Sequence, residues 1–406
     1  MDIKVITGGI CAPKGYKAAG MHAGIRYSSE KKDLMMITSE TTADAAGVYT
    51  TNKVKGAPIT VTKENIADGK ASLVICNSGN ANTCAPNGEE IAWQICELAA
   101  AATGKKAEDV IVASTGVIGE PMAIEPFEKN IPALAEALDA DGSDDAAAAI
   151  MTTDTVKKEI AIEFEIGGKT CRIGCIAKGS GMIHPNMATM LCFITSDVAI
   201  SAEMLREVLK EDVKDSFNQM TVDGDTSTND MCMVMANGMA GNEKIEGEGE
   251  DLEAFKEALA YVTRYTAMKL ASDGEGAGKL IVCDLKGAPD KDTARKVSRS
   301  VVSSSLLKAA IFGEDANWGR VLCAIGYTDA DFSADKVDVV MRSDKGSVTV
   351  CLDSRYAPHS EEEAALILSA DEIYIDVDLK DGEASATAWG CDLTYDYVKI
   401  NGDYRS

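Results

Sequence analysis

Between residues 158 and 178 the chain writes out a hairpin. Ile160, Ile162, Phe164 and Ile166 alternate with Ala161, Glu163 and Glu165, the two-residue period of a strand with one face buried. Gly167-Gly168 then turns the chain into a second extended run over 170–177. This hairpin commits the chain to a sheet laid against a core, and it leads directly into Lys178-Gly-Ser-Gly-Met-Ile-His-Pro-Asn-Met-Ala-Thr-Met-Leu191. Those fourteen residues hold two glycines, a proline and a threonine that ends next to an apolar run.

The rest of the chain supplies the layers. Apolar runs at 33–38, 71–76, 110–114, 191–195 and 231–236, each bounded by turn residues, predict buried strands. Helices are expected over 88–102 and over an Ala- and Asp-rich stretch at 131–151. Two more are marked by Leu205, Val208, Leu209 and Val213 and by Leu252, Phe255, Leu259 and Val262. Beyond residue 280 the pattern gives a strand, a helix over 291–312, a polar turn at 313–319, strands at 337–341 and 347–352, a helix at 361–369, and strands at 372–379 and 384–394. Paired strands with interspersed helices predict an α+β class of layered α/β sandwich rather than a regular βαβ series. The division expected is 1–280 as the main catalytic region and 281–406 as a smaller C-terminal α/β domain.

Charge and composition exclude several functions. A formal charge of −25 without a basic cluster argues against a nucleic-acid partner. No stretch of eighteen apolar residues is present, so no membrane span is expected. The start, Met1-Asp-Ile-Lys-Val, has neither the apolar core of a secretory signal nor the Arg-rich character of a transit peptide, which predicts a cytoplasmic location. The twelve cysteines form no Cys-x-x-Cys and read as reduced, packed thiols, with Cys171 and Cys175 on the same face of one strand.

Chemistry-bearing residues are few. Asn77 to Asn82 reads as a polar turn at a strand end. Thr115-Gly-Val-Ile-Gly119 is a strand running into a Gly-containing turn whose N–H groups could face an anionic oxygen, although the pattern alone favours a plain strand-to-helix turn. The loop from Asp223 has Thr228 and Val234 where a calcium loop needs Gly and Glu, and Ala271–Lys279 has Asp273 and Leu280 where a phosphate loop needs Gly and Ser or Thr. No metal site is expected. Of His22, His184 and His359, only His184 lies in a motif, and none sits in a nucleophile elbow. A threonine can act as a nucleophile when it begins a chain, because its own α-amino group serves as base. An internal threonine gains that amine only after the preceding bond breaks, which a tight turn built from Gly179, Gly181 and Pro185 would promote. Residue chemistry alone does not single out Ala188–Thr189 among other bonds, and Thr189 also reads as an ordinary strand residue.

The 178–191 stretch resembles the self-processing signature of the ornithine acetyltransferase family, the bifunctional glutamate N-acetyltransferases. Ala113-Ser-Thr-Gly-Val-Ile-Gly119, Met151-Thr-Thr-Asp-Thr155, Thr221-Val-Asp-Gly-Asp-Thr-Ser-Thr-Asn-Asp230, Asp273-Gly-Glu-Gly-Ala277, Asn317-Trp-Gly-Arg320 and Asp392-Leu-Thr-Tyr-Asp-Tyr-Val-Lys-Ile-Asn401 resemble further family motifs, in the family's order. The resemblance implies the self-processing N-terminal-nucleophile type of fold and autocatalytic cleavage between Ala188 and Thr189, into an α chain of 1–188 and a β chain of 189–406. It implies Thr189 as nucleophile, the Thr115 hydroxyl and Gly116 N–H as oxyanion hole, and Thr152, Lys178, Thr189, Glu275, Asn401 and Ser406 as substrate contacts. The implied reaction moves acetyl from N-acetylornithine to glutamate in arginine biosynthesis, with no cofactor and an α2β2 heterotetramer as the working form; acetyl-CoA stays open as a second acetyl donor. The chain departs from the family form at Gly278, where Thr is usual, at 83–88, at Ser303-Ser-Ser305 and in its tail, where Ser406 keeps a hydroxyl. An N-terminal-nucleophile amidohydrolase or aminopeptidase, with water as acceptor, is the alternative. A non-enzymatic binding module is a third reading, under which Thr189 would be dispensable.

Overall fold

The computed structural model describes residues 2–26, 31–184 and 190–403. Ala188, Thr189 and Ser406, like Pro185, lie outside the described residues. The strands are β1 (Lys4–Ile6), β2 (Tyr16–Met21), β3 (Leu34–Tyr49), β4 (Lys70–Asn80), β5 (Val110–Val117), β6 (Lys158–Ile166), β7 (Lys169–Lys178), β8 (Leu191–Ser196), β9 (Met231–Ala236), β10 (Leu280–Ala288), β11 (Asp338–Ser343), β12 (Gly346–Leu352), β13 (Arg355–Tyr356), β14 (Glu372–Asp378) and β15 (Ala384–Cys391). The helices are α1 (Ala57–Asn65), α2 (Gly88–Thr103), α3 (Glu125–Glu136), α4 (Ser143–Ile150), α5 (Ala202–Asp212), α6 (Glu250–Ser272), α7 (Lys291–Ser303), α8 (Ser305–Phe312), α9 (Trp318–Gly326), α10 (Glu361–Leu368) and α11 (Tyr395–Asp403).

The expected hairpin β6–β7 forms, with Ile162 opposite Ile173 and Phe164 opposite Cys171. It is part of a first sheet ordered β1-β6-β7-β8-β9-β3-β4-β5, with β2 on β3. The sixteen-residue β3 joins the two halves: its start pairs with β2 and β4, its end with β9, and the register shifts between Thr38 and Ala43.

Strand alternation then builds three packed layers. Cys192, Ile194, Cys232 and Val234 face Leu205, Leu209, Phe255 and Leu259 of α5 and α6. The intervening positions, Leu191, Phe193, Met231 and Met233, share one cluster with Met35, Ile37, Val74 and Ile111 from the other half of the sheet and with the alanines of α4. Leu73, Ile75, Val110 and Val112 turn the opposite way, onto α2 and α3. Each fully buried Leu, Ile or Phe in these layers contributes roughly 1.5–3 kcal/mol of transfer free energy.

The second sheet is ordered β13-β12-β11-β14-β10-β15, with β10 parallel to β14. β10 serves two cores by its alternation: Ile281, Cys283 and Leu285 pack under α7, α8 and α9, while Leu280 and Val282 join the α6 core. The arrangement is α+β and layered. Every cysteine is unpaired, and all but Cys84 and Cys323 are buried.

Local pattern misplaced several elements. The helix expected over 131–151 is two helices, because Asp139 pairs its backbone with Ala18 of β2 through N–H···O bonds of 3.0 and 3.1 Å. The helix expected over 291–312 breaks at Ser304, whose hydroxyl caps α8 by accepting from Leu307 N at 3.3 Å. The turn at 313–319 ends in the start of α9, with Asn317 as its N-cap. At 77–82 and 115–119 the strands β4 and β5 continue in parallel pairing through Asn80 and Val117, so the expected turns begin later. α11, within the tail motif, buries none of its residues and has no apolar stripe to announce it.

Candidate active site

The C-terminal ends of β5 and β7 and the start of β9 meet at a cavity of about 170 Å³. Its lining includes Thr115 and Gly116 from β5, Thr152 from the loop after α4, Lys178 from β7, Asp230 before β9, Glu275 after α6, and Asn401 from α11. Met190 and Leu191 form part of the same wall. The volume suits a small ligand, below the roughly 300–1,000 Å³ of sites that enclose larger ones.

Gly116 has φ 133°, and a side-chain carbon there would lie 2.4 Å from the carbonyl carbon of Gly79. Only glycine lets β5 approach β4 this closely while its edge stays open to the cavity. Lys178 Nζ stands 3.5 Å from Thr115 Oγ1 and 4.0 Å from Asp154 Oδ2. Behind it runs a buried ladder of charge. Lys158 Nζ bridges Asp154 and Asp273 at 2.5 Å each, and Asp154 also accepts from Gly179 N at 2.7 Å and Thr152 N at 2.9 Å. Burial alone would raise the Asp154 pKa, but Lys178 and Lys158 override it and hold the carboxyl well below the usual range. Burial lowers the Lys178 pKa against the opposing pull of Asp154.

On the opposite wall Asn401 Nδ2 donates to Glu275 Oε2 at 2.8 Å. Gly181 makes room for that carboxylate: a side-chain carbon at 181 would meet its atoms at 2.3–2.5 Å. Thr394 Oγ1 donates to Gly276 O at 2.6 Å and accepts from Tyr397 N at 3.3 Å, which fixes the start of α11 to the loop carrying Glu275. Asp223 accepts from the backbone of Met182 and Ile183 at 2.6 and 2.8 Å, so the polar 223–230 loop holds the 178–184 stretch in place.

His184 is placed for structure. Thr221 Oγ1 donates to Ile183 O at 3.2 Å and so accepts from His184 Nδ1 at 3.0 Å. Burial, aided by Arg299 and Lys308, lowers its pKa to about 4, which keeps the ring neutral near pH 7. Among the described residues no group of three or more His, Cys, Asp or Glu is placed to hold a metal ion.

The ArgJ family model matches residues 17–406. The chain belongs to the ArgJ family. An arginine biosynthesis bifunctional protein ArgJ from Symbiobacterium thermophilum is 50% identical over 403 residues, 99% of each chain. The protein of that name from Caldanaerobacter subterraneus is 47% identical over 405 residues and the full length of both. The crystal structure of an arginine biosynthesis bifunctional protein argJ from Bacillus halodurans is 43% identical, with a TM-score of 0.50, and covers 52% of this chain and 98% of that one.

Within this ArgJ-family fold the structure brings Thr115, Gly116, Thr152, Lys178, Glu275 and Asn401 to one cavity. Residue 189 is outside the described residues, but its neighbour Met190 is in the cavity wall. Asp154, Lys158, Asp273 and Asp230 were not assigned roles from sequence. Three of them stand in the quoted motifs at 151–155, 221–230 and 273–277, which was the available signal; Lys158 reads locally as an ordinary strand-start lysine.

Proposed function

We propose that this ArgJ-family chain is an acyltransferase of arginine biosynthesis that moves acetyl from N-acetylornithine to glutamate through an acetyl ester on Thr189. The observation that carries this reading is the convergence, beside Met190, of the Thr115 hydroxyl, Gly116, the buried Lys178 ammonium and the buried Glu275 carboxylate in one cavity of about 170 Å³. The Thr189 hydroxyl attacks the acetamide carbonyl, and its proton passes to the α-amino group of the same residue. Negative charge on the carbonyl oxygen is met by the Gly116 N–H and the Thr115 hydroxyl. The C–N bond breaks, the leaving amine takes the proton and departs as ornithine, and the acetyl group remains as an ester. The glutamate amine attacks that ester along the same path and leaves as N-acetylglutamate. Lys178 suits the substrate carboxylate, and Glu275, oriented by Asn401, suits an ammonium.

The free amine requires cleavage between Ala188 and Thr189. The Bacillus halodurans chain, almost all of which matches only about half of this one, has the length such a product would have. The working form in this reading is an α2β2 assembly of residues 1–188 and 189–406 in the cytoplasm, without a cofactor, and acetyl-CoA can serve as an alternative donor. No described helix is long and apolar enough to cross a membrane.

Purified protein should run as two chains, with N-terminal sequencing of one beginning at Thr189, and should form N-acetylglutamate from N-acetylornithine and glutamate. Thr189→Ala should remain one 42.8 kDa chain without activity. An intact chain with full activity would overturn the cleavage step, and acetyl release to water without transfer to glutamate would make the protein a hydrolase instead. Adding acetyl-CoA and glutamate in the same assay decides the second donor.

A further inference from the structure

Among the described residues, Asp230 is the one buried carboxylate in the cavity wall that neither the ladder nor the ammonium site uses. It is 3% exposed, and its Oδ2 has no hydrogen-bond partner among the described residues. The parallel register of Leu191 with Met231, and the 3.0 Å bond from Met231 N to Met190 O, set it beside Met190. An unsatisfied buried oxygen costs free energy that a ligand can recover.

We propose that Asp230 donates a hydrogen bond to the substrate carboxylate beside Lys178, so that these two residues form the carboxylate-recognising end of the cavity. The inference rests on the acetyl-transfer reading. Lys178 from β7 is the cation facing Asp230; Asp154, Lys158 and Arg26 act on Lys178 in turn, and Glu275 shares the cavity. Burial raises the Asp230 pKa well above the carboxylate range, more than the hydrogen bond from Ser227 and the Lys178 charge can offset. This shift favours the protonated carboxyl, the form that can donate a hydrogen bond, as in other apolar sites that keep a carboxylic acid neutral. A neutral Asp230 also leaves the ladder balanced, with Asp154 and Asp273 against Lys158 and Lys178, and lets the Lys178 ammonium attract an anion. The substrate ammonium is served elsewhere, by Glu275.

The test is the ratio of kcat/KM for N-acetylornithine to that for N-acetyl-1,4-diaminobutane, the same amide without its carboxylate. Asp230→Ala should shrink this ratio by about tenfold or more, while Asp230→Asn, which keeps a donor, should hold it within about threefold. An unchanged ratio in Asp230→Ala would overturn the proposal, and so would a ratio that collapses equally in Asp230→Asn. Should Asp230→Ala fail to fold, the asparagine variant decides alone. The KM of the unmodified enzyme for N-acetylornithine should rise with alkaline pH more steeply than that of Asp230→Asn, and parallel profiles would overturn the role. Absence of any transfer by the unmodified enzyme would count against the proposed function instead.

Discussion

Asn401 Nδ2 donates to Glu275 Oε2 at 2.8 Å across 126 positions of sequence, and this bond joins the exposed helix α11 to the cavity wall. Because α11 buries no residue, the bond matters for orienting the carboxylate more than for stability. Asn401→Ala is expected to raise KM for the ammonium-bearing donor by about tenfold, with little change in thermal unfolding. Asn401→Asp, which sets two carboxylates together, should raise it further. Steady-state kinetics with calorimetric melting checks both.

The proposed oxyanion donors, Thr115 and Gly116, should report on kcat. Thr115→Ala is expected to cost about 3 kcal/mol of transition-state stabilisation, roughly a hundredfold in rate. Gly116→Ala should lose at least as much and also lower the melting temperature, since its added carbon would meet the Gly79 backbone at 2.4 Å. Single-turnover acetylation measures the chemical step in each variant.

The buried ladder should govern stability. Lys158→Met leaves Asp154 and Asp273 without their shared cation, a loss of about 3–5 kcal/mol. Adding Asp273→Asn should recover part of it, because Asp154 keeps Lys178. Denaturant unfolding of the single and double variants measures the difference.

Asp212 offers a pH-dependent readout away from the cavity. Burial raises its pKa to about 6, against hydrogen bonds from Thr263 and Ser216, and it lies at the C-terminal end of α5. With the folded pKa above the unfolded value near 4, the folded state binds the extra proton. Stability therefore falls as pH rises from about 4 to about 6 and then levels off. Asp212→Asn should stabilise the protein at pH 7 by about 1–2 kcal/mol, allowing for partial exposure, and give no gain at pH 4.

Much of this was legible locally. Strand alternation at 160–166 named the face each residue takes, the apolar runs at 191–195 and 231–236 marked buried strands, and the structure pairs these strands in one sheet. Helix ends were less legible. Ser304 and Asn317 cap helices through side-chain bonds, and the 137–142 break follows from pairing with Ala18, more than a hundred residues away.

The order of motifs and the family resemblance, with Lys178, Thr115, Gly116, Glu275 and Asn401 named on them, were available from the sequence alone. Periodicity and side-chain chemistry are properties of neighbouring residues. Tertiary structure decided which of the sixty-five acids are structural and which line the cavity. Asp154 and Asp273 share Lys158 although 119 positions separate them, while Asp230, in the same kind of polar loop, is buried with an unpartnered oxygen. Packing made that distinction because the charge and proton of a carboxyl depend on the cations and the solvent excluded around it, and those come from distant strands.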